Sequence, residues 1–76
     1  MGLTEDIADK LAQDVLAAEE EYGDETLVKK VSDLVGTSST TMQDAFLTAV
    51  RVRRAETRGR QALDRAIAEL RAKKDS

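Results

Sequence analysis

The sequence predicts an all-α fold, and three observations support this: its composition, its lack of proline and the helical spacing of its apolar residues. Residues that favour helices (Ala, Leu, Glu, Lys, Gln and Arg) dominate the 76 residues, and no proline interrupts them. Apolar side chains recur at intervals of three and four residues, and the alternation typical of strands is missing. We therefore predict a single small domain, residues 1–76, built as a bundle of three helices, with residues 1–3 and 74–76 frayed.

The first helix is predicted over residues 5–22. Thr4 suits the N-cap position, and the acidic pair Glu5 and Asp6 suits the positive end of the helix dipole. Gly23 tolerates the left-handed conformation that commonly ends a helix. The spacing predicts one apolar stripe, formed by Ile7, Leu11, Val15, Ala18 and Tyr22.

The second helix is predicted over residues 25–35, between an N-cap at Asp24 and a stop at Gly36. Its apolar side consists of Leu27, Val28, Val31, Leu34 and Val35. A short polar turn, residues 37–39, is expected to lead from this helix into the third one.

The third helix is predicted over residues 41–73, with Thr40 and Gln43 forming a capping box at its start. Its apolar residues form two groups: Met42, Ala45, Phe46, Ala49 and Val50, and then Ala62, Leu63, Ala66, Ile67 and Leu70. Gly59 lies in the polar stretch between them, so the helix is either continuous or broken there. A continuous helix leaves apolar stripes uncovered and predicts a homodimer around Leu63, Ile67 and Leu70, whereas a break permits a compact monomer.

Two residue types that often serve in catalysis and metal binding, cysteine and histidine, are missing. The chain has no cysteine and no histidine, which excludes disulfides and thiolate or imidazole ligands. Its four glycines are isolated, so there is no glycine-rich phosphate loop, and the hydroxyls of residues 38–41 have no histidine to activate them. The acidic run at residues 19–21 is interpreted as solvated surface. We therefore expect no enzymatic activity, no cofactor and no metal.

The N-terminal residues do not have the features of a targeting segment. They lack the basic and apolar parts of a signal peptide, and Asp6 stands where the myristoylation pattern needs Ser or Thr. The longest apolar run, residues 15–18, is far too short to span a bilayer. We therefore expect a cytoplasmic protein that does not enter a membrane.

Charge is divided unevenly along the chain, although the net charge is only −3. Residues 1–35 carry ten acidic and three basic groups, whereas residues 36–76 carry five acidic and nine basic groups. Two interpretations remain open. Either acidic and basic helices attract one another within the fold, or the basic part forms a face for nucleic acid.

One stretch has the residue spacing of a DNA-binding motif. It places a small residue at Ser32, a glycine at Gly36 and then Ser38, Thr41, Met42 and Ala45. Residues 32–46 thereby resemble the helix-turn-helix signature of bacterial DNA-binding regulators. The resemblance implies that the start of the third helix enters the major groove, with Gln43 reading adenine and arginines contacting phosphates. The DNA-facing residues that it implies are Ser38, Ser39, Thr40, Gln43, Asp44, Arg51 and Arg54.

Two functions from different classes follow from these observations. The first is a non-enzymatic interaction module that self-associates through its helices and binds an unidentified protein partner. The second is a helix-turn-helix regulator that reads DNA through the start of the third helix. DNA binding needs an uncompensated basic surface between Thr40 and Arg54, so the surroundings of these arginines distinguish the two functions.

Overall fold

Three α-helices account for almost all of the chain in the computed structural model, which describes residues 2–75. They are α1 (Leu3–Tyr22), α2 (Leu27–Ser38) and α3 (Thr40–Asp75). No strand occurs within residues 2–75, so the predicted all-α class is confirmed. Of the ends expected to fray, Leu3, Lys74 and Asp75 are helical, whereas Met1 and Ser76 lie outside the described residues.

The ends of α1 follow the predicted chemistry, but its first turn starts earlier than expected. Gly2, and not Thr4, is the N-cap, and the Glu5 carboxylate accepts a hydrogen bond of 2.9 Å from the Gly2 N–H. The predicted N-cap at Thr4 is therefore wrong, because Thr4 already lies inside the helix. At the other end, Gly23 adopts the left-handed conformation with φ 67°, as predicted, and ends the helix there.

The junction between α2 and α3 consists of one residue, Ser39. Its N–H donates to the Val35 carbonyl at 2.9 Å, and its own carbonyl accepts from the Gln43 N–H at 3.0 Å. Its hydroxyl oxygen accepts a hydrogen bond of 3.0 Å from the Met42 N–H, which makes Ser39 the N-cap of α3. The predicted capping box of Thr40 and Gln43 and the predicted stop at Gly36 are therefore wrong, since α2 continues to Ser38.

The start of α2 also differs from the prediction. The helix begins at Leu27, and Asp24 lies in the preceding turn, where its carboxylate accepts from the Thr26 N–H at 2.8 Å and from the Thr26 hydroxyl. This is a local side-chain turn of the kind that aspartate forms readily. Asp24 therefore shapes the loop and is not the N-cap of the helix.

The core lies between α1 and the first half of α3. Ala8, Ala12 and Val15 of α1 are buried against Phe46 and Val50 of α3. The alanines allow the two helices to approach closely, while α2 covers one side with the partly buried Leu27, Val28 and Val31. Of the predicted α1 stripe, Val15 is buried and Leu11 packs against the core, but Ile7 and Tyr22 are exposed, and Ala8 and Ala12 are buried instead.

Helix α3 is continuous through Gly59 over its 36 residues, which correspond to about 54 Å of helix. Near its beginning, α1 lines a groove with α3 through Thr4, beside Thr41 and Ala45, and near its end Glu20 lies beside Arg58 and Gln61. The remainder of α3 extends past the bundle, and the molecule measures 58 × 31 × 13 Å. We call residues 58–75 the projecting segment.

Candidate helical interaction surface

The projecting segment carries apolar side chains that nothing in the described chain covers. Leu63 is 54% exposed and Leu70 is 65% exposed, while Ile67 between them is only partly buried. All three belong to the predicted self-association surface, and the structure places them on one stretch of bare helix. Exposed leucines at helical spacing are typical of a surface that packs against another helix.

The apolar residues of the projecting segment continue a line that begins in the first half of α3. Counted at alternating intervals of four and three residues, this line consists of Ala45, Ala49, Val52, Glu56, Gly59, Leu63, Ala66 and Leu70. Val52 is 62% exposed, so the line is accessible on both sides of Gly59. The spacing is that of the a and d positions of a coiled coil. We call this line the α3 seam.

The first half of the seam forms the floor of a groove. Ala45, Ala49 and Val52 line a cavity of about 510 Å³ between α3 and the start of α1. The rest of its lining consists of three threonines and four acidic residues, with no basic residue. The acidic residues are Glu5, Asp6 and Asp9 from α1 and Asp44 from α3. We call this feature the acidic groove; it combines an apolar floor with a negative rim.

The projecting segment has the opposite charge. It contains six basic residues against three acidic residues. Within α3, the Arg60 guanidinium pairs with Glu56 one turn earlier at 3.1 Å, an exposed i,i+4 ion pair that supports the bare helix. The end of the segment carries Lys73 and Lys74, whose charges suit the C-terminal end of the helix dipole.

Acids of α1 hold two neighbouring arginines of α3: Arg54, which was expected to contact DNA phosphate, and Arg53. The Arg53 guanidinium donates two hydrogen bonds to the Asp9 carboxylate, at 2.6 and 2.7 Å, in the two-point geometry that suits this pair. These hydrogen bonds and the positive charge of Arg53 lower the pKa of Asp9. Arg54 lies 3.3 Å from Glu19. The attraction between acidic and basic helices predicted from the charge division is therefore observed.

Glu19 connects all three helices, a role that the sequence did not suggest. Its side chain is only 12% exposed, and besides Arg54 it accepts a hydrogen bond of 3.1 Å from the Val28 N–H in the first turn of α2. It thereby satisfies a backbone donor at the start of α2, where Asp24 was expected to act. The interpretation of residues 19–21 as solvated surface is wrong for Glu19.

Gln43 joins α3 to α2. Its side-chain amide donates to the Ser32 carbonyl at 2.9 Å and lies 3.4 Å from the buried Ser32 hydroxyl. Gly36 makes room for it, because a Cβ atom at Gly36 would lie 2.6 Å from the Gln43 side-chain carbon Cδ. The residue expected to read adenine therefore has a structural contact inside the chain.

Most of the remaining candidate DNA-facing residues lie at the α2–α3 junction. Ser38, Thr40 and Asp44 are exposed there, Ser39 caps α3, and Arg51 is exposed further along the helix. The connection of one residue is shorter than the turn of three or four residues that helix-turn-helix modules use. Among the expected phosphate contacts, Arg54 is thus paired with an acid of α1, whereas Arg51 is exposed and forms no such ion pair.

Comparison with protein-family models, curated proteins and solved structures gives no match to this chain. Within residues 2–75, no helix is long and apolar enough to cross a membrane, and no group of three or more acidic side chains is arranged to hold a metal ion. The α3 seam and the acidic groove are therefore the surfaces from which a function is argued.

Proposed function

We propose that this protein is a non-enzymatic helical interaction module that self-associates through the α3 seam. The observation that carries the proposal is the projecting segment, a bare helix with Leu63 and Leu70 exposed on one side. An isolated surface helix of this length gains most of its stability from packing of an apolar face. A second copy of the chain supplies such a face.

The free energies of burial and association indicate that the interface must include more residues than Leu63 and Leu70. Burying two leucines in each of two copies contributes at most about 6–12 kcal/mol, at about 1.5–3 kcal/mol for each fully exposed side chain, and less here because Leu63 and Leu70 are only 54% and 65% exposed. Association costs about 4–15 kcal/mol in lost translational and rotational freedom. The two terms are of similar size, so a stable dimer also needs other seam residues. Val52 is the largest exposed apolar side chain in the first half of the seam.

DNA binding has less support, because Gln43 is engaged with Ser32 and two arginines are paired with α1 acids. Asp9 and Glu19 neutralise the part of α3 on which a phosphate contact depends. Only Arg51 among the candidate phosphate contacts is left without such an acid from α1. The arrangement supports an interaction module over a nucleic-acid binder.

The first prediction is that the double variant Leu63→Ala, Leu70→Ala is monomeric at concentrations where the unchanged chain is a dimer. Both side chains are exposed within one chain, so the fold itself has little to lose. Sedimentation equilibrium over a concentration series measures the association. Leu34→Ala is the matched control, since Leu34 is 72% exposed and lies on α2, away from the seam.

A monomeric mass for the unchanged chain at high micromolar concentration would contradict the proposal. Electrophoretic mobility shift with random and genomic DNA at low salt tests the other function. We expect no complex from the folded protein. A complex that Arg51→Ala weakens on all sequences would instead favour DNA binding, since a phosphate contact acts without sequence preference.

A further inference from the structure

We infer that two copies pair their α3 helices in antiparallel orientation, each projecting segment lying in the acidic groove of the other copy. This inference rests on the proposed self-association and specifies its geometry. It follows from the order of residues along the α3 seam, from the charges on its two halves and from the presence of Gly59 at its middle.

The seam has two halves that match when one α3 is reversed against another. The facing pairs are Ala45 with Leu70, Ala49 with Ala66, Val52 with Leu63 and Glu56 with Gly59. Every pair joins an a position to a d position, which is how core layers form in antiparallel coiled coils. Because each pair occurs twice, the interface obeys the two-fold symmetry that most homodimers have.

Side-chain size favours this register. Ala45, Ala49 and Val52 in the first half of the seam form the floor of the acidic groove, whereas the second half carries the exposed leucines. Antiparallel pairing places Leu70 over Ala45 and Leu63 over Val52, so large side chains enter a recess. Alternation of large and small residues across facing positions is what allows two helices to interlock.

Packing within one chain does not require a glycine at position 59, since a Cβ atom there would meet nothing within 4 Å. Glycine in the interior of an exposed helix weakens it relative to alanine. In the antiparallel register Gly59 faces the Glu56 stem of the second copy near the two-fold axis, where a missing side chain lets the helices approach. A glycine at position 59 is then explained by the close approach of the second copy, a contact that a single chain does not contain.

Charge favours the same orientation. Of the four acidic residues that line the acidic groove, Asp9 is paired with Arg53, so Glu5, Asp6 and Asp44 are left to face the projecting segment, which has twice as many basic as acidic residues. Antiparallel pairing brings these opposite charges together on both sides of the dimer. Parallel pairing would set Glu56 against Glu56 in the core and leave both acidic grooves empty, so like charge opposes it.

The seam from Ala45 to Leu70 is about 38 Å long at 1.5 Å per residue. In this arrangement the dimer has one continuous two-helix core, with α1 and α2 of each copy flanking the projecting segment of the other. The apolar side chains left exposed on α3 in a single chain are then covered by their counterparts.

Cross-linking of the full chain tests the orientation, because the protein contains no cysteine that would interfere. Chains carrying Val52→Cys are mixed with chains carrying Leu63→Cys and treated with a short bifunctional maleimide. We expect a cross-linked dimer containing one chain of each kind. Leu63→Cys chains alone should not cross-link, because their thiols are separated by about 16 Å along the antiparallel pair, eleven residues apart.

Efficient cross-linking of Leu63→Cys chains with themselves would overturn the antiparallel register while leaving self-association intact. A dimer that cross-links in neither mixture would also overturn it. A chain that is monomeric at all concentrations would instead remove the proposed function, so the two failures are distinguishable. Sedimentation of both cysteine variants confirms beforehand that they still associate.

A second variant tests the close approach at Gly59. We expect Gly59→Leu to raise the dissociation constant of the dimer at least tenfold, because the added side chain fills the space facing Glu56. Ala68→Leu is the matched control, since it also introduces leucine, at an exposed position away from the seam, and should change the dissociation constant little. An unchanged dissociation constant for Gly59→Leu would overturn the inferred register.

Discussion

Glu19 is the side chain whose loss is expected to affect the most contacts in one step. Replacing Glu19 by Ala removes the acceptor for the Val28 N–H at the start of α2 and the partner of Arg54. We expect the free energy of unfolding to fall by about 0.5–2 kcal/mol, the usual cost of losing a cap. Urea denaturation followed by circular dichroism measures it.

The neighbouring carboxylate of Glu21 provides the control for this prediction, because Glu21 is exposed and has the same local sequence. Glu21→Ala should change the free energy of unfolding by less than about 0.5 kcal/mol. Equal effects of the two substitutions would mean that the contacts of Glu19 contribute nothing beyond its charge.

At the scale of helices, the ends that depend on one residue were predictable and those that depend on a distant contact were not. Gly23 ends α1 because its own backbone conformation suffices. The start of α3 offered two adjacent hydroxyl residues, Ser39 and Thr40, and local sequence does not choose between them. Gly36 has the features of a helix stop, yet α2 continues through it to Ser38. The missing side chain at Gly36 leaves the space that the Gln43 side chain occupies.

At the α2–α3 junction, the effect of Gly36→Ala on the free energy of unfolding is expected to depend on the residue at position 43. Gly36→Ala improves helix propensity by about 1 kcal/mol, but its Cβ atom displaces Gln43 from Ser32, a hydrogen bond that contributes about 0.5–1.5 kcal/mol. In the unchanged chain the two effects should nearly cancel or destabilise. In a Gln43→Ala background, the same substitution should stabilise by about 0.5–1 kcal/mol.

A double-mutant cycle with urea denaturation measures this coupling between Gly36 and Gln43. Gln61→Ala in place of Gln43→Ala serves as the control, because Gln61 is exposed on α3 far from Gly36. Additive effects of Gly36→Ala and Gln43→Ala would show that the two residues do not compete for space.

At the scale of the whole molecule, the all-α class and the separation of charge were readable from sequence, but the partner of each charge was not. Asp9 and Arg53 are 44 residues apart in the chain, and nothing local selects this pair over other acids and bases. The core was displaced from the predicted stripe for a similar reason, since close approach to α3 selects Ala8 and Ala12.

Acid is expected to weaken the contact between α1 and α3. The pKa of Asp9 is lowered in the folded protein, first by the hydrogen bonds from Arg53, so the folded state binds this proton less readily than the unfolded state. The stabilisation is therefore present above the ordinary pKa of 3.8 and is lost as pH falls through the lower folded value.

Asp9→Asn should accordingly flatten the decline of stability below about pH 4, measured as the urea midpoint at a series of pH values. Asp64→Asn on the projecting segment is the control with an exposed carboxylate. If the urea midpoint of Asp9→Asn falls at low pH as steeply as that of the unchanged chain, other carboxylates dominate the acid sensitivity.

The helical structure of the projecting segment is expected to depend on protein concentration. The projecting segment has 18 residues and little tertiary contact, although most of the stability of helices in proteins comes from packing of an apolar face. On dilution below the dissociation constant, its amides should lose protection and exchange with deuterium much faster than those of α1. Mean helicity should fall in parallel, so that folding of this segment and assembly become a single event.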